Sequence, residues 1–78
     1  MTEADRALLL FEEAPPGRTV QKAGLIRPAL GITPARYYQR LLALIVTREV
    51  VEAFPQLSSQ MLREQERLKE DRLHRRLH

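Results

Sequence analysis

The chain contains no cysteine and no tryptophan, and its only aromatic residues are Phe11, Phe54, Tyr37 and Tyr38. Without cysteine there are no disulfides and no thiolate metal sites, which points to a reducing, intracellular setting. With so few aromatics, the core must be built from Leu, Ile, Val and Ala, a composition that suits helices. No apolar run approaches the roughly 20 residues that a membrane span needs. The N-terminal MTEADRALLLFEEA is acidic on both sides of its apolar run. A signal peptide has a basic start and a small-residue cleavage site instead. A soluble, cytoplasmic protein is expected. Phosphate loops, dinucleotide fingerprints and nucleophile elbows are missing too, and the few Ser and Thr lack a partner base. With 78 residues there is one small core and little left for the walls of a catalytic cleft. Neither enzymatic chemistry, nor a cofactor, nor a small-molecule substrate is expected.

A further absence concerns charge of one sign. Residues 14–48 hold six bases (Arg18, Lys22, Arg27, Arg36, Arg40 and Arg48) and no acid, although the whole chain carries only +3. Residues 1–13 hold four acids against one base, and from Glu49 onward six of each balance. Cations concentrated on one segment of a small domain are the footprint of a polyanion partner.

What is present reads as helices. Thr2 predicts an N-cap and Glu3 and Asp5 a first turn for a helix running to Glu13, with Ala7, Leu8, Leu10 and Phe11 facing the core. Ala14-Pro15-Pro16-Gly17 ends it. A second helix is expected from Thr19 to Ile26 or Leu30, weakened by Gly24 and kinked or ended by Pro28. Gly31 reads as a terminator in the left-handed conformation, and Thr33-Pro34 as an N-cap followed by proline at the first helical position. The helix that follows is expected to reach about Thr47, with Tyr37, Leu41, Leu44 and Arg48 along one stripe. Leu42, Ile45 and Val46 broaden its apolar surface enough that both sides are expected to pack. Val50, Val51 and Phe54 suggest a short fourth helix ended at Pro55, and Gln56 to His78 a long, charged one. The predicted fold is all-α, four to five helices, divided into a helical domain over 1–55 and a C-terminal helix over 56–78.

Helix, glycine turn, capped helix is the logic of a helix-turn-helix, here over about 19–46. Tyr37 and Leu41 are expected inside; Ala35, Tyr38, Gln39 and Leu42 then point outward, flanked by Arg36 and Ala43. The major-groove pairings of these side-chain types are Arg36 with guanine and Gln39 with adenine. Tyr38, Thr33, Arg18, Lys22, Arg27 and Arg40 would lie at the backbone, where phosphate contacts fix position. His74 and His78 have a metal-chelating spacing, i and i+4, but no third ligand is evident. They read as two tail histidines, and no metal is expected.

LLLFEE, the series Gly17, Lys22, Ile26-Arg27 and Leu30-Gly31, the run ITPARYYQ, Leu41 and Leu44-Ile45 resemble a family of small proteins of unknown function from actinobacteria and their phages. Its pattern reads roughly GAKE, AIR, FGxSxTRYYQxLNxLI, and the resemblance spans about residues 8–68. Helix-turn-helix character is inferred for that family, so the resemblance implies the fold and DNA binding but no particular target. Leu42 stands where the family has Asn, and Arg40 where it has an apolar residue. The acid of its AKE is missing near Thr19 to Gln21.

Two functions of different classes follow. The first is double-stranded DNA binding in transcriptional regulation, by a homodimer paired through Leu57, Met61, Leu68 and Leu73 of the C-terminal helix. Such a dimer would set two recognition helices about 34 Å apart. The second is a protein-interaction module that uses the Leu42/Ile45 surface and the C-terminal helix.

Overall fold

In a computed structural model that describes residues 1–77, the described chain forms six helices and no strand. The first, α1 (Glu3–Glu13), starts on a reciprocal cap: the Asp5 N–H donates to Thr2 Oγ1 (3.1 Å), and the Thr2 N–H donates to the Asp5 carboxylate (3.4 Å). This satisfies two of the donors that every helix start leaves open. Pro15 and Pro16 then carry the chain away, and Gly17 turns it with φ 88°.

The predicted second helix is two helices, α2 (Val20–Ala23) and α3 (Ile26–Leu30), which raises the total above the expected four or five. The break falls at Gly24-Leu25 and not at Pro28. Because α3 restarts at Ile26, Pro28 occupies its first turn, where backbone N–H groups have no intrahelical partner. The proline is accommodated by the early break.

Gly31 closes α3 with φ 71°, and its N–H reaches the Arg27 carbonyl (2.8 Å). A side chain at that φ would be strained, so glycine is the residue that allows so short a connection. Thr33 then accepts the Arg36 N–H (3.2 Å), with Pro34 at the first position of α4 (Pro34–Ile45). Thr47 serves two helices. Its hydroxyl donates to the Leu44 carbonyl (2.7 Å), and its oxygen accepts the Val50 N–H (3.4 Å) at the start of α5 (Arg48–Ala53). Phe54 turns inward, and α6 (Pro55–Leu77) follows.

The core takes Leu8 and Leu9 from α1, Ile26 from α3, Tyr37, Leu41 and Ile45 from α4, and Val50 from α5. Phe54, Leu57 and Met61 complete it. On α4 the inward stripe is thus Tyr37, Leu41 and Ile45, spaced by four, with Leu44 half-buried at its edge. The α1 stripe is one step out of phase with the sequence expectation, since Leu9 is buried and Leu10 exposed. Asp5, Leu8, Leu9 and Glu12 share that stripe (i, i+3, i+4, i+7), so α1 turns two carboxylates toward its neighbours along with two leucines.

Leu57 and Met61 were expected at a dimer or partner contact. They lie inside this chain's own core, because α6 lays its first turns across α4 and α5. No residue described after Met61 is buried, so the rest of α6 projects, with Leu68 and Leu73 exposed along it. None of the described helices is long and apolar enough to cross a membrane.

One core position is polar. Ser58 is buried and its Oγ has no hydrogen-bond partner among the described residues. An orphan buried hydroxyl is a desolvation penalty without return. Ser58→Ala is therefore expected to leave stability unchanged or to raise it by up to ~1 kcal/mol, read from the urea midpoint; a clear loss would mean that the hydroxyl has a partner.

Candidate nucleic-acid interface

The six bases of the acid-free segment meet different fates on folding. Lys22, expected at a phosphate, is buried. The Thr19 cap starts α2 so that the Lys22 stem runs over the Phe11 ring, with Nζ 5.2 Å from its centre. The ammonium donates to the Glu12 carbonyl (3.2 Å) and to the Ala14 carbonyl, at the C-terminus of α1. Its charge complements the negative end of that helix dipole. Lys22 is a structural cap, not a surface cation.

Arg18 is drawn to acids as well. Its guanidinium donates to Glu12 Oε2 (3.1 Å), lies 3.6 Å from Glu64 Oε1, and sits 5.1 Å from the centre of the Tyr38 ring. Tyr38, expected to keep its hydroxyl for phosphate, is half-buried between that guanidinium and the edge of Tyr37, ring centres 5.1 Å apart. Tyr37 donates its hydroxyl to Glu12 Oε1 (2.6 Å). Burial first, and then the Glu12 carboxylate, push the Tyr37 phenol far above its ordinary range, so it stays protonated. Glu12 thus accepts from Tyr37 with one oxygen and from Arg18 with the other. Half-buried among these donors, it is the hub of a polar cluster that ties α1 to α4.

Arg40 donates to Asp5 Oδ1 (3.1 Å). Burial raises the Asp5 pKa, but the Thr2 hydroxyl, the Thr2 N–H and Arg40 together outweigh it and hold the carboxyl below its ordinary value. Arg48 pairs one turn along its own helix with Glu52 (3.1 Å), both largely exposed. Only two bases of the segment are left, Arg27 on α3 and Arg36 on α4. Both are exposed, and neither has an ion-pair or side-chain hydrogen-bond partner among the described residues.

These two arginines stand on the helices that flank the Gly31 turn. Thr33 is exposed beside them, but its hydroxyl oxygen serves the α4 cap. Following Arg36 along the outward side of α4 come Gln39, then Leu42 and Val46, 37% and 63% exposed. The outward stripe is therefore polar at the N-terminal half and apolar at the other. Ile45, expected to share a surface with Leu42, is in the core, and only one side of α4 is packed. Among the described residues, no group of three or more His, Cys, Asp or Glu could hold a metal ion; His78 lies outside them.

A family profile matches residues 1–76, nearly the whole chain. The chain belongs to the DUF3263 family of proteins of unknown function. That agrees with the resemblance of ITPARYYQ and its flanks to an uncharacterised family. No curated protein and no solved structure gives a significant match.

In this DUF3263 chain the residues missed by sequence reasoning are the acids Asp5, 35 positions from Arg40, and Glu12, which reaches Arg18 across the Pro15-Pro16-Gly17 turn. Their signal was available, since both fall on the stripe that carries Leu8 and Leu9. Setting the helix phase by Ala7, Leu8, Leu10 and Phe11 hid it.

Proposed function

We propose that this domain binds double-stranded DNA through the N-terminal half of α4 and acts as a cytoplasmic transcriptional regulator. One observation carries the reading. Four of the six bases in the acid-free segment have partners within the chain, and the two without partners among the described residues, Arg27 and Arg36, flank the Gly31 turn on the helices it joins. Of the cations spread along that segment, those left without a partner among the described residues stand on either side of the turn. The short residues Pro34 and Ala35 at the start of α4 let that helix end approach a groove closely. In this reading Arg36 and Gln39 address base edges, and Arg27 grips phosphate.

The test is fluorescence anisotropy of a labelled random duplex against salt concentration. Binding at micromolar protein in low salt is expected, with log K falling against log salt at a slope of about −1 for the one phosphate contact of Arg27. Arg27→Ala/Arg36→Ala is expected to remove that binding while leaving the melting temperature within a degree or two. No binding by the unaltered protein, or undiminished binding by the double variant, overturns the reading.

A second reading, a protein-interaction module, rests on the exposed Leu42 and Val46. It predicts capture of one partner that persists at high salt and is lost in Leu42→Ser, a pattern opposite to that of phosphate binding.

A further inference from the structure

Arg36 and Arg40 are one turn apart, so they neighbour each other on the same side of α4. Arg36 has no partner among the described residues, whereas Arg40 is held by an acid from another helix, Asp5 of α1 (3.1 Å). The hold is a single contact. One Nη of Arg40 meets one oxygen of Asp5, and the remaining guanidinium donors meet nothing among the described residues. The pair is also reachable, since the Arg40 side chain is 37% exposed and that of Asp5 20%. Half-exposed, singly bonded ion pairs contribute little to stability, whereas a phosphate can offer a guanidinium two parallel hydrogen bonds.

We propose that Arg40 of α4 is a second phosphate-contacting residue, beside Arg27 of α3, and that Asp5 is a latch that withholds it until a phosphate competes it away. The inference rests on the DNA-binding reading above and names what limits affinity at that site. Asp5 also belongs to the α1 cap, accepting the Thr2 N–H with its other oxygen. A ligand that pulls Arg40 off therefore leaves the carboxylate a partner at the helix start, where the dipole favours it. Release of Arg40 lengthens the cationic stripe on α4 from one arginine to two.

The experiment is a double-mutant cycle of Asp5→Asn and Arg40→Ala, with duplex affinity measured across a salt series. Asparagine keeps an oxygen for the Thr2 N–H, so the cap survives; circular dichroism and the melting temperature of each variant check this. Asp5→Asn is expected to steepen the slope of log K against log salt by about 0.9, one additional phosphate, and to raise affinity about eightfold at ~0.1 M salt. Arg40→Ala is expected to cost less than twofold in the unaltered background and to abolish the whole gain in the Asp5→Asn background. A gain of equal size with Arg40 removed would mean that Asp5 acts only as a like charge to the phosphates, and would overturn the latch. So would an unchanged slope in Asp5→Asn while the unaltered protein binds. If neither the unaltered protein nor Asp5→Asn binds duplex at low salt, the DNA reading falls and the latch with it.

Discussion

Leu41→Ala is expected to lower the unfolding free energy by about 2–5 kcal/mol, the cost of truncating a buried leucine when its surroundings cannot close over the gap. Leu41 is the central residue of the only α4 stripe that is inside, completely inaccessible between Tyr37 and Ile45. Tyr37 is held through its hydroxyl by Glu12 and through its ring by the edges of Phe11 and Tyr38, at 5.9 and 5.1 Å between ring centres. At about 0.05–0.15 kcal/mol per residue, a domain of this size has roughly 4–12 kcal/mol in total. The substitution therefore removes a large share, and the melting temperature should fall by about 10–40 °C. Leu42→Ala, one position along on the outward side, should cost well under 1 kcal/mol, because a surface substitution leaves no cavity. The pair of thermal melts checks the phase of α4. Equal effects at 41 and 42 would show that the helix is rotated from the arrangement described.

Lys22 is expected to behave as a core residue and not as a DNA ligand. Its ammonium supplies charge-assisted hydrogen bonds to two carbonyls at the end of α1, those of Glu12 and Ala14, the second of which also accepts the Gly17 N–H. Hydrogen bonds to charged groups contribute about 1.5–3 kcal/mol. Lys22→Met keeps most of the stem that covers Phe11 and removes the ammonium, so it isolates the capping and should lose about 2 kcal/mol. Lys22→Ala loses the stem packing too and should lose about 3 kcal/mol or more. Denaturant titration measures both. Duplex affinity of the folded variants should stay within twofold of the unaltered protein. The reverse pattern, unchanged stability with weakened DNA binding, would return Lys22 to the surface.

The contrast between Lys22 and Arg36 shows how far local sequence carries and where it stops. In the sequence they are alike: two bases in a segment without acids, each three residues after a capping threonine. Helix starts and stops depend on a few neighbouring atoms, so Thr2, Thr19, Thr33 and Thr47 mark four helix starts from their own backbone hydrogen bonds. Gly31 ends α3 where it should for the same reason, since its positive φ is a property of the residue itself. Pro28 was harder, because whether a proline breaks a helix depends on where that helix began, and the weak Gly24-Leu25 junction moved the start.

Charge is different, because an ion pair is made by whichever helix lies alongside. Arg18, Lys22 and Arg40 are neutralised or capped by groups from α1 and α6, up to 46 positions away in the chain. The same crossing buried Leu57 and Met61, which local periodicity could equally assign to a partner. On α1 the acids Asp5 and Glu12 took places on the packed stripe with Leu8 and Leu9, one step from the apolar stripe expected there.

The helices, their caps and the turn between α3 and α4 were thus determined by the sequence alone, since each rests on bonds within a few residues. Which cations remain for a partner was decided only by the packing of α1 and α6 around α4. Folding brought distant carboxylates and carbonyl ends within reach of Arg18, Lys22 and Arg40, and left Arg27 and Arg36 facing water.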